Sequence, residues 1–226
     1  MSERRPPDSL AGHLAGALPT GAETASRVRI TQRGEMVRRP GEKALPFAAT
    51  QEFSVHEVGF EWRASFGPNR LVRMIVVDRY RGGAGSLSAR VWGLLPVTRS
   101  SGPETDRAEA IRYLAELPWV PHAIAANGEL SWRRLENGSV EVSTAAGGRL
   151  ASVVLSLDQS GLIGEVSGMR PRIGGQTAIE TAFTGRFGDY GELGGVRVPR
   201  TAEMSWELPE GPFTYWRGEV TSLEAE

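Results

Sequence analysis

The sequence predicts a mainly β (α+β) fold, a curved antiparallel half-barrel meander of about 11–13 strands with a central helical plug and a short N-terminal helix. Three observations predict it. Apolar and polar residues alternate with a period of two in many segments after residue 25, short glycine-rich turns separate these segments, and one amphipathic helical segment interrupts them near the middle. A β-strand that is buried on one face requires this alternation, because its side chains point to opposite sides in turn.

Residues 1–25 are predicted to form an N-terminal helix and a linker. The helix covers 8–18, with Asp8 or Ser9 as its N-cap. Its apolar part is short and is broken by His13 and two glycines, unlike the uniform apolar region of a secretory signal. No window approaches the roughly 18–20 apolar residues that cross a bilayer. We therefore expect a cytoplasmic protein without stable membrane insertion.

Residues 26–226 are predicted to be a single half-barrel domain. Two short strands are expected at its start, over 26–32 and 34–39. The alternation is clearest near the end of the chain, where one face of a strand carries Ala202, Met204, Trp206 and Leu208. Asn137-Gly138 lies between two alternating runs and is typical of a two-residue hairpin. Connections this short require antiparallel neighbours, which excludes a parallel sheet.

A helical insertion is predicted at about 103–126. Pro103 and the acidic residues after it suit a helix start. An apolar stripe follows at helical spacing, formed by Ala108, Ile111, Leu114 and Ala115. Pro118 ends this helix, and a second short helix is expected over 121–126. The helices either cover the concave side of a curved sheet or lie across one end of a β-sandwich.

The composition excludes several classes of function. The chain has 26 basic and 27 acidic residues, and this balance argues against a nucleic-acid partner. It has no cysteine, which excludes disulfides, thiolate metal sites and cysteine nucleophiles. Three histidines are too few for most multi-histidine metal sites, and the sequence contains no nucleotide-binding fingerprint or serine-nucleophile elbow. We therefore expect no cofactor and no metal.

Several segments resemble a known family. They are Gln51-Glu52-Phe53-Ser54, Gly59-Phe60-Glu61-Trp62, the block from Arg112 to Glu116 with its tail Pro118-Trp119-Val120-Pro121, and Gly194-Gly195-Val196-Arg197-Val198-Pro199. They are similar to a family of uncharacterised bacterial proteins, the domain of unknown function number 6544. Its members look like the lipoprotein-carrier (LolA-like) half-barrels, a curved antiparallel sheet with helices in its mouth. The resemblance implies a cavity for an apolar ligand and assigns no catalytic residues.

The candidate ligand-binding residues are aromatic and arginine side chains that could line such a cavity. They are Trp62, Arg90, Trp92, Arg112, Trp119, Arg170, Tyr190 and Trp206. Most tryptophans of a barrel belong to its core, and two converging arginines could bind a carboxylate. Arg112 and Glu116 are spaced as an i,i+4 ion pair, which is either exposed to solvent or directed into the cavity. Asp78 is expected to pair with Arg90 on the next strand.

Three functions remain open from the sequence. The first is a cytoplasmic, cofactor-free protein that binds a small, mainly apolar molecule. The second is a cyclase or isomerase of an apolar metabolite, in which Glu116, His122 and Tyr113 would supply acid–base catalysis. The third is a protein-interaction domain that uses the edges of its sheet.

Overall fold

A computed structural model describes residues 3–19, 25–67, 74–91, 95–174 and 177–226. Three α-helices lie in this part of the chain, α1 (Ala11–Ala17), α2 (Pro103–Ala115) and α3 (Pro121–Ala126). The strands described there are β1 (Arg27–Met36), β2 (Leu45–Ser54), β3 (Phe60–Phe66), β4 (Met74–Arg81), β5 (Ala84–Val91), β6 (Leu95–Ser101), β7 (Ser131–Arg134), β8 (Val140–Ala146), β9 (Arg149–Leu157), β10 (Ile163–Gly174), β11 (Thr177–Leu193), β12 (Val196–Leu208) and β13 (Gly211–Ala225).

All thirteen described strands belong to one antiparallel sheet. Its order is β6-β5-β4-β3-β2-β1-β13-β12-β11-β10-β9-β8-β7, so two meanders meet where the first strand pairs with the last. The sheet curls into a half-barrel, which confirms the predicted fold class and excludes the β-sandwich alternative. β6 and β7 lie at opposite edges, and the helical segment that connects them crosses the concave side.

The two strands predicted at 26–32 and 34–39 are one continuous strand, β1, which is a correction. The expected break at Arg33 is absent, and Gly34, where the second strand was expected to begin, lies inside β1 and pairs with Gly218 of β13. A Cβ atom on Gly34 would lie 2.1 Å from the carbonyl oxygen of Arg217, so the glycine permits a close approach of the two strands. β6 was not predicted from the sequence.

The central helices have the predicted positions. Pro103 opens α2, with Glu104 and Asp106 in its first turn, where acids complement the helix dipole. The predicted apolar stripe of α2 is buried. A 3-10 turn at Leu117–Trp119 leads into α3. α2 packs against β4–β6 on one side and β8–β10 on the other, so it bridges the two halves of the sheet.

The two faces of the sheet differ in chemistry. The concave face buries apolar side chains, among them Ala202, Met204 and Trp206 of the predicted row on β12, while Leu208 at its end is half-buried. The convex face carries cross-strand Arg–Glu pairs such as Arg33–Glu219 and Arg186–Glu165, whose side chains are exposed. Exposed pairs of this kind contribute about 0–1 kcal/mol each. The concave side therefore provides the stability and is the side that can hold a site.

The N-terminal segment packs against the barrel. Glu3 exchanges backbone hydrogen bonds with Trp132 and so extends the sheet beyond β7. Leu10 and His13 are buried where α1 contacts α3 and β12. None of the helices in the described ranges is long and apolar enough to span a membrane.

Candidate functional site

A cavity of about 390 Å³ lies between α2 and the concave face of the sheet. This volume is within the range of about 300–1,000 Å³ that is typical of small-molecule sites. Its apolar lining includes Met36, Leu87, Ala108, Ala115, Trp62, Trp119, Phe183, Met204, Trp206, Leu208, Phe213, Tyr215 and Trp216. Its polar lining includes Arg38, Arg39, Asp78, Glu109, Arg112, Glu116, Arg170 and Arg172.

A β-bulge in β13 shapes the aromatic wall of the cavity. Met204 pairs with Trp216 and Ser205 pairs with Thr214, which leaves Tyr215 as the extra residue. Tyr215 and Trp216 therefore both line the cavity, whereas an unbroken strand would send consecutive side chains to opposite faces. The ring of Tyr215 stacks on Trp206, with centroids 5.1 Å apart and an interplanar angle of 19°.

Arg112 of α2 is the centre of a buried ionic cluster at the floor of the cavity. Its Nη1 atom donates to Asp78 Oδ2 of β4, and its Nε atom donates to Glu116 Oε1 at 2.9 Å. The Nε2 atom of Gln51 donates to the other carboxylate oxygen of Glu116. The i,i+4 pair predicted from the sequence is therefore present, and it is buried rather than solvated.

Aromatic rings and carboxylates together keep Arg112 charged. Its guanidinium carbon lies 4.8 Å from the ring centroid of Trp62 and 5.0 Å from that of Phe60. Burial alone would lower the pKa of Arg112, but the charges of Glu116 and Asp78 outweigh it and raise the pKa above its ordinary value. Arg112 is thus a permanent cation in a low-dielectric site.

Glu109 of α2 is a buried carboxyl group whose loss of hydration is only weakly offset by a nearby cation. Its side chain is 2% exposed, and its Oε1 atom lies 3.7 Å from the Nη2 atom of Arg170. The Nε atom of Arg170 is bonded to the carbonyl oxygen of Ala108 at 3.0 Å. Burial, together with the charge of Asp78, raises the pKa of Glu109 to about 7, although Arg170 and Arg112 act in the opposite direction. Glu109 therefore changes its charge near neutral pH.

Two carboxylate oxygens of the floor lack a hydrogen-bond partner among the described residues. They are Glu109 Oε2 and Asp78 Oδ1, both buried. Burial also raises the pKa of Asp78, while the nearby charge of Arg112 lowers it. Both oxygens are therefore buried acceptors whose desolvation is not offset by a hydrogen bond from the described part of the chain.

The structure brings six of the predicted site residues together around the cavity: Trp62, Arg112, Glu116, Trp119, Arg170 and Trp206. Trp119 also donates through Nε1 to the carbonyl oxygen of Pro199 at 2.9 Å, which fixes the 3-10 turn onto β12. Trp92 lies outside the described residues.

Three predicted residues lie elsewhere in the molecule, two of them buried and Tyr190 half-buried. Tyr113 donates to the carbonyl oxygen of Ser54 at 2.8 Å and accepts a bond from Asn127, on the side of α2 away from the cavity lining. His122 is buried in α3, and burial lowers its pKa. Tyr190 donates to the carbonyl oxygen of Ile163 at 2.7 Å and is not part of the lining.

Arg90 lies on the convex face, which corrects its assignment to the cavity. It pairs with Ile75 across β4 and β5 and lines an outer groove with Arg63. Asp78 lies three positions from Ile75, and an odd separation in a strand reverses the face. The expected Asp78–Arg90 pair is therefore wrong, and Arg112 is the partner.

Sequence reasoning did not select Glu109, Asp78 or Tyr215 as site residues. For Glu109 a signal was available, because it lies three residues before Arg112 and shares its face of α2. The sequence contains no corresponding signal for Tyr215, because the bulge is defined by the pairing of β13 with β12 and cannot be seen in the order of apolar and polar residues in β13 alone.

The match to a family model covers residues 6–224, nearly the whole chain. The chain belongs to the family of unknown function DUF6920. The family number predicted from the sequence, 6544, is therefore wrong, while membership of an uncharacterised family is confirmed. A search of curated protein sequences finds no significant match.

Solved structures with this fold include three bacterial proteins. A LolA superfamily protein from Nitrosomonas europaea has a TM-score of 0.51 and 11% identity, covering 97% of this chain and 92% of its own. A domain assigned to outer membrane lipoprotein sorting, from Vibrio parahaemolyticus, has a TM-score of 0.53 and 11% identity. The match covers 97% of this chain and 91% of that domain. A DUF1329 family protein from Desulfovibrio piger has a TM-score of 0.52 and 10% identity, and the match covers 97% of this chain and 92% of that protein. At these identities the likeness shows a shared LolA-like half-barrel fold.

The cavity lining contains carboxylates, but they do not form a metal centre. In the part of the chain that the structure describes, no three His, Asp or Glu side chains are grouped so that they could hold a metal ion. Arg112 instead occupies the position between Asp78 and Glu116. The site can therefore bind and orient a ligand by apolar contact, by charge and by hydrogen bonds to its floor.

Proposed function

We propose that this protein binds a small, mainly apolar ligand in the cavity between α2 and the concave face of the sheet. The observation that carries the proposal is the unfilled volume of about 390 Å³ beside a wall of aromatic and aliphatic side chains. Burying an apolar ligand there releases about 25 cal/mol for each Å² removed from water. The similar LolA superfamily and lipoprotein-sorting structures support the proposal through their fold alone.

The positions of the acid–base candidates favour binding over catalysis. Both carboxylate oxygens of Glu116 already accept hydrogen bonds, from Arg112 and Gln51. Tyr113 and His122 do not line the cavity. A cyclase or isomerase needs its acid and base within hydrogen-bond reach of the substrate. The cytoplasmic location expected from the sequence stays a prediction.

An experiment that fills the cavity tests the proposal. Ala115 lines the cavity and is buried, so Ala115→Leu would occupy part of the volume. Ala48 is exposed on β2, and Ala48→Leu makes the same chemical change outside the cavity. Binding is followed by the fluorescence of Nile red, a neutral apolar dye, and by its displacement with 1-decanol.

We expect saturable binding in the wild type, an affinity at least about tenfold lower in Ala115→Leu, and no change in Ala48→Leu, because only the leucine at 115 occupies volume that the ligand needs. Circular dichroism checks that both variants fold. Absence of saturable binding in the wild type, or equal binding by the two variants, would overturn the proposal.

A further inference from the structure

The cavity is lined by more arginines than carboxylates. The five arginines are Arg38, Arg39, Arg112, Arg170 and Arg172, and the three carboxylates are Asp78, Glu109 and Glu116. When all of these groups are ionised, the lining carries an excess of two positive charges. Burial raises the pKa of Glu109 to about 7, so below that pH one carboxylate is neutral and the excess is larger.

The carboxylates of the floor are already held by the two deeper arginines. Asp78 and Glu116 both pair with Arg112. Glu109 Oε1 lies 3.7 Å from the Nη2 atom of Arg170. The two carboxylate oxygens without a partner in the described chain, Glu109 Oε2 and Asp78 Oδ1, have almost no accessible surface. A cationic head group would therefore reach no free acceptor at the floor and would meet a lining of like charge.

The other three arginines of the lining, Arg38, Arg39 and Arg172, are here called the rim arginines. Arg38 and Arg39 follow β1 and are exposed, and Arg38 pairs with Glu42 at 3.2 Å. Arg172 lies on β10 and is half-buried. Within the described ranges, neither Arg39 nor Arg172 has a carboxylate at ion-pair distance. The positive excess of the lining is therefore carried by these two side chains.

The guanidinium group of Arg172 has donors to spare. Its Nε atom makes one long contact, 3.5 Å, to Thr181 Oγ1, and that hydroxyl donates to the carbonyl oxygen of Ile179. A guanidinium carries five N–H donors, and the two terminal nitrogens of Arg172 have no hydrogen-bond partner in the described part of the chain. A fork of this kind matches the paired oxygens of a carboxylate or a phosphate.

Apolar side chains adjoin Arg172 at the rim. Ile179 pairs with Arg172 across β10 and β11 and is 54% exposed. Ile173 lines the cavity and is also exposed. Leu208 and Phe213 line the cavity as well and are half-buried. An unpaired cation beside apolar surface suits the junction between a charged head group and an apolar chain.

We propose that the ligand of this cavity is an apolar molecule with an anionic head group, which binds Arg172 and Arg39 at the rim while its apolar part lies along the aromatic wall. This inference rests on the proposed binding function and specifies the ligand class. An anion pairs with the free donors of Arg172 and reduces the positive excess of the lining. A neutral hydroxyl can use the donors but leaves the charge unbalanced.

The test compares four ligands that share a decyl chain, each below its aggregation concentration: n-decanoate, n-decyl phosphate, n-decanol and n-decylammonium. Affinity is measured by isothermal titration calorimetry at pH 6. At this pH a carboxylate with a pKa near that of glutamate, about 4.3, is ionised, and an alkylammonium with a pKa near that of lysine, about 10.4, is protonated. The phosphate is at least singly charged.

The variants separate the rim from the rest of the molecule. Arg172→Gln removes the half-buried cation, and Arg39→Gln removes an exposed one, so at least one of them changes only the surface. The control is Arg134→Gln, which removes an exposed arginine of β7 that does not line the cavity. Circular dichroism checks that all three variants fold.

We expect an anionic ligand to bind at least about tenfold more tightly than decanol, with decylammonium the weakest, because a charged hydrogen bond is worth about a factor of ten or more. The tighter of decanoate and decyl phosphate identifies the head group. Arg172→Gln should remove most of this preference and change decanol affinity less than about threefold. Arg39→Gln should reduce the preference by about threefold, since solvent screens its charge, and Arg134→Gln should leave it unchanged.

Other results would overturn the inference. Equal affinity for the anions and decanol would refute the anionic site and leave the proposed apolar binding intact. Tightest binding of decylammonium would show that the floor carboxylates determine the charge of the ligand. A preference for anions that persists in both Arg172→Gln and Arg39→Gln would refute the assignment to the rim arginines. Failure of all four ligands to bind would refute both this inference and the proposed function.

Discussion

Replacing Glu109 by glutamine should stabilise the ligand-free protein, and the gain should depend on pH. In the folded protein the pKa of Glu109 is raised from 4.5 to about 7, chiefly by burial. The unfolded chain loses this proton near pH 4.5, and the folded protein keeps it until about pH 7. Folded molecules therefore bind more protons across this window, and the wild type loses stability as the pH rises through it.

The size of the effect follows from the two pKa values. A shift from 4.5 to about 7, at about 1.4 kcal/mol per pH unit, corresponds to about 3 kcal/mol. Glutamine is neutral at every pH and has nearly the same shape, so Glu109→Gln avoids this loss. We expect the variant to match the wild type near pH 4.5 and to exceed its free energy of unfolding by up to about 3 kcal/mol at pH 8.

The assay is urea denaturation of both proteins at intervals between pH 4.5 and pH 8.5, with the change in free energy read from the shift in midpoint. The control is Glu104→Gln, which removes an exposed carboxylate of α2 that pairs with Arg149, and it should change the free energy of unfolding by less than about 1 kcal/mol. Loss of stability in Glu109→Gln relative to the wild type as the pH rises would contradict this expectation. That result would mean that the contact with Arg170 outweighs the cost of burial.

Two further predictions concern the groups around Glu109. Arg112→Leu leaves the buried carboxylates of Asp78 and Glu116 without their cation. The free energy of unfolding at pH 7 should therefore fall by about 3–5 kcal/mol and recover in part at lower pH. A loss under about 1 kcal/mol would contradict the buried pairing. Tyr113→Phe deletes the hydroxyl that bonds Asn127 and a β2 carbonyl, and should cost about 1–3 kcal/mol in the same assay. It should leave decanol affinity unchanged, because Tyr113 is not part of the cavity lining, and a change of more than about threefold would contradict that placement.

The fold could be predicted from the sequence because its signals are local. Alternation on β12 and the short turns specify antiparallel neighbours, and the apolar stripe of α2 requires a surface to cover. The break expected between 26–32 and 34–39 was wrong, because Arg33 and Gly34 pair with β13, a strand at the far end of the sequence. The central pairing of β1 with β13 joins the two ends of the chain, and no local pattern specifies it.

The candidate site was predicted only in part because its contacts are between distant segments. The pair of Arg112 with Glu116 could be predicted from helical spacing. Asp78 is 34 positions away from Arg112, and Arg90 was the nearer candidate for its partner in the sequence. Tyr215 lines the cavity because of a bulge whose position depends on the register with β12. Helical spacing could have placed Glu109 beside Arg112, but its burial depends on how α2 docks against the sheet.

A crystal structure with 10-bromo-1-decanol would show whether the cavity between α2 and the sheet is the ligand site, because the anomalous signal of bromine locates the ligand. In the wild type we expect a bromine peak inside the cavity, next to the wall formed by Trp206 and Tyr215. In Ala115→Leu we expect a much weaker peak. A peak confined to the outer groove at Arg63 and Arg90, or a ligand-free cavity at saturating concentration, would contradict this placement of the ligand.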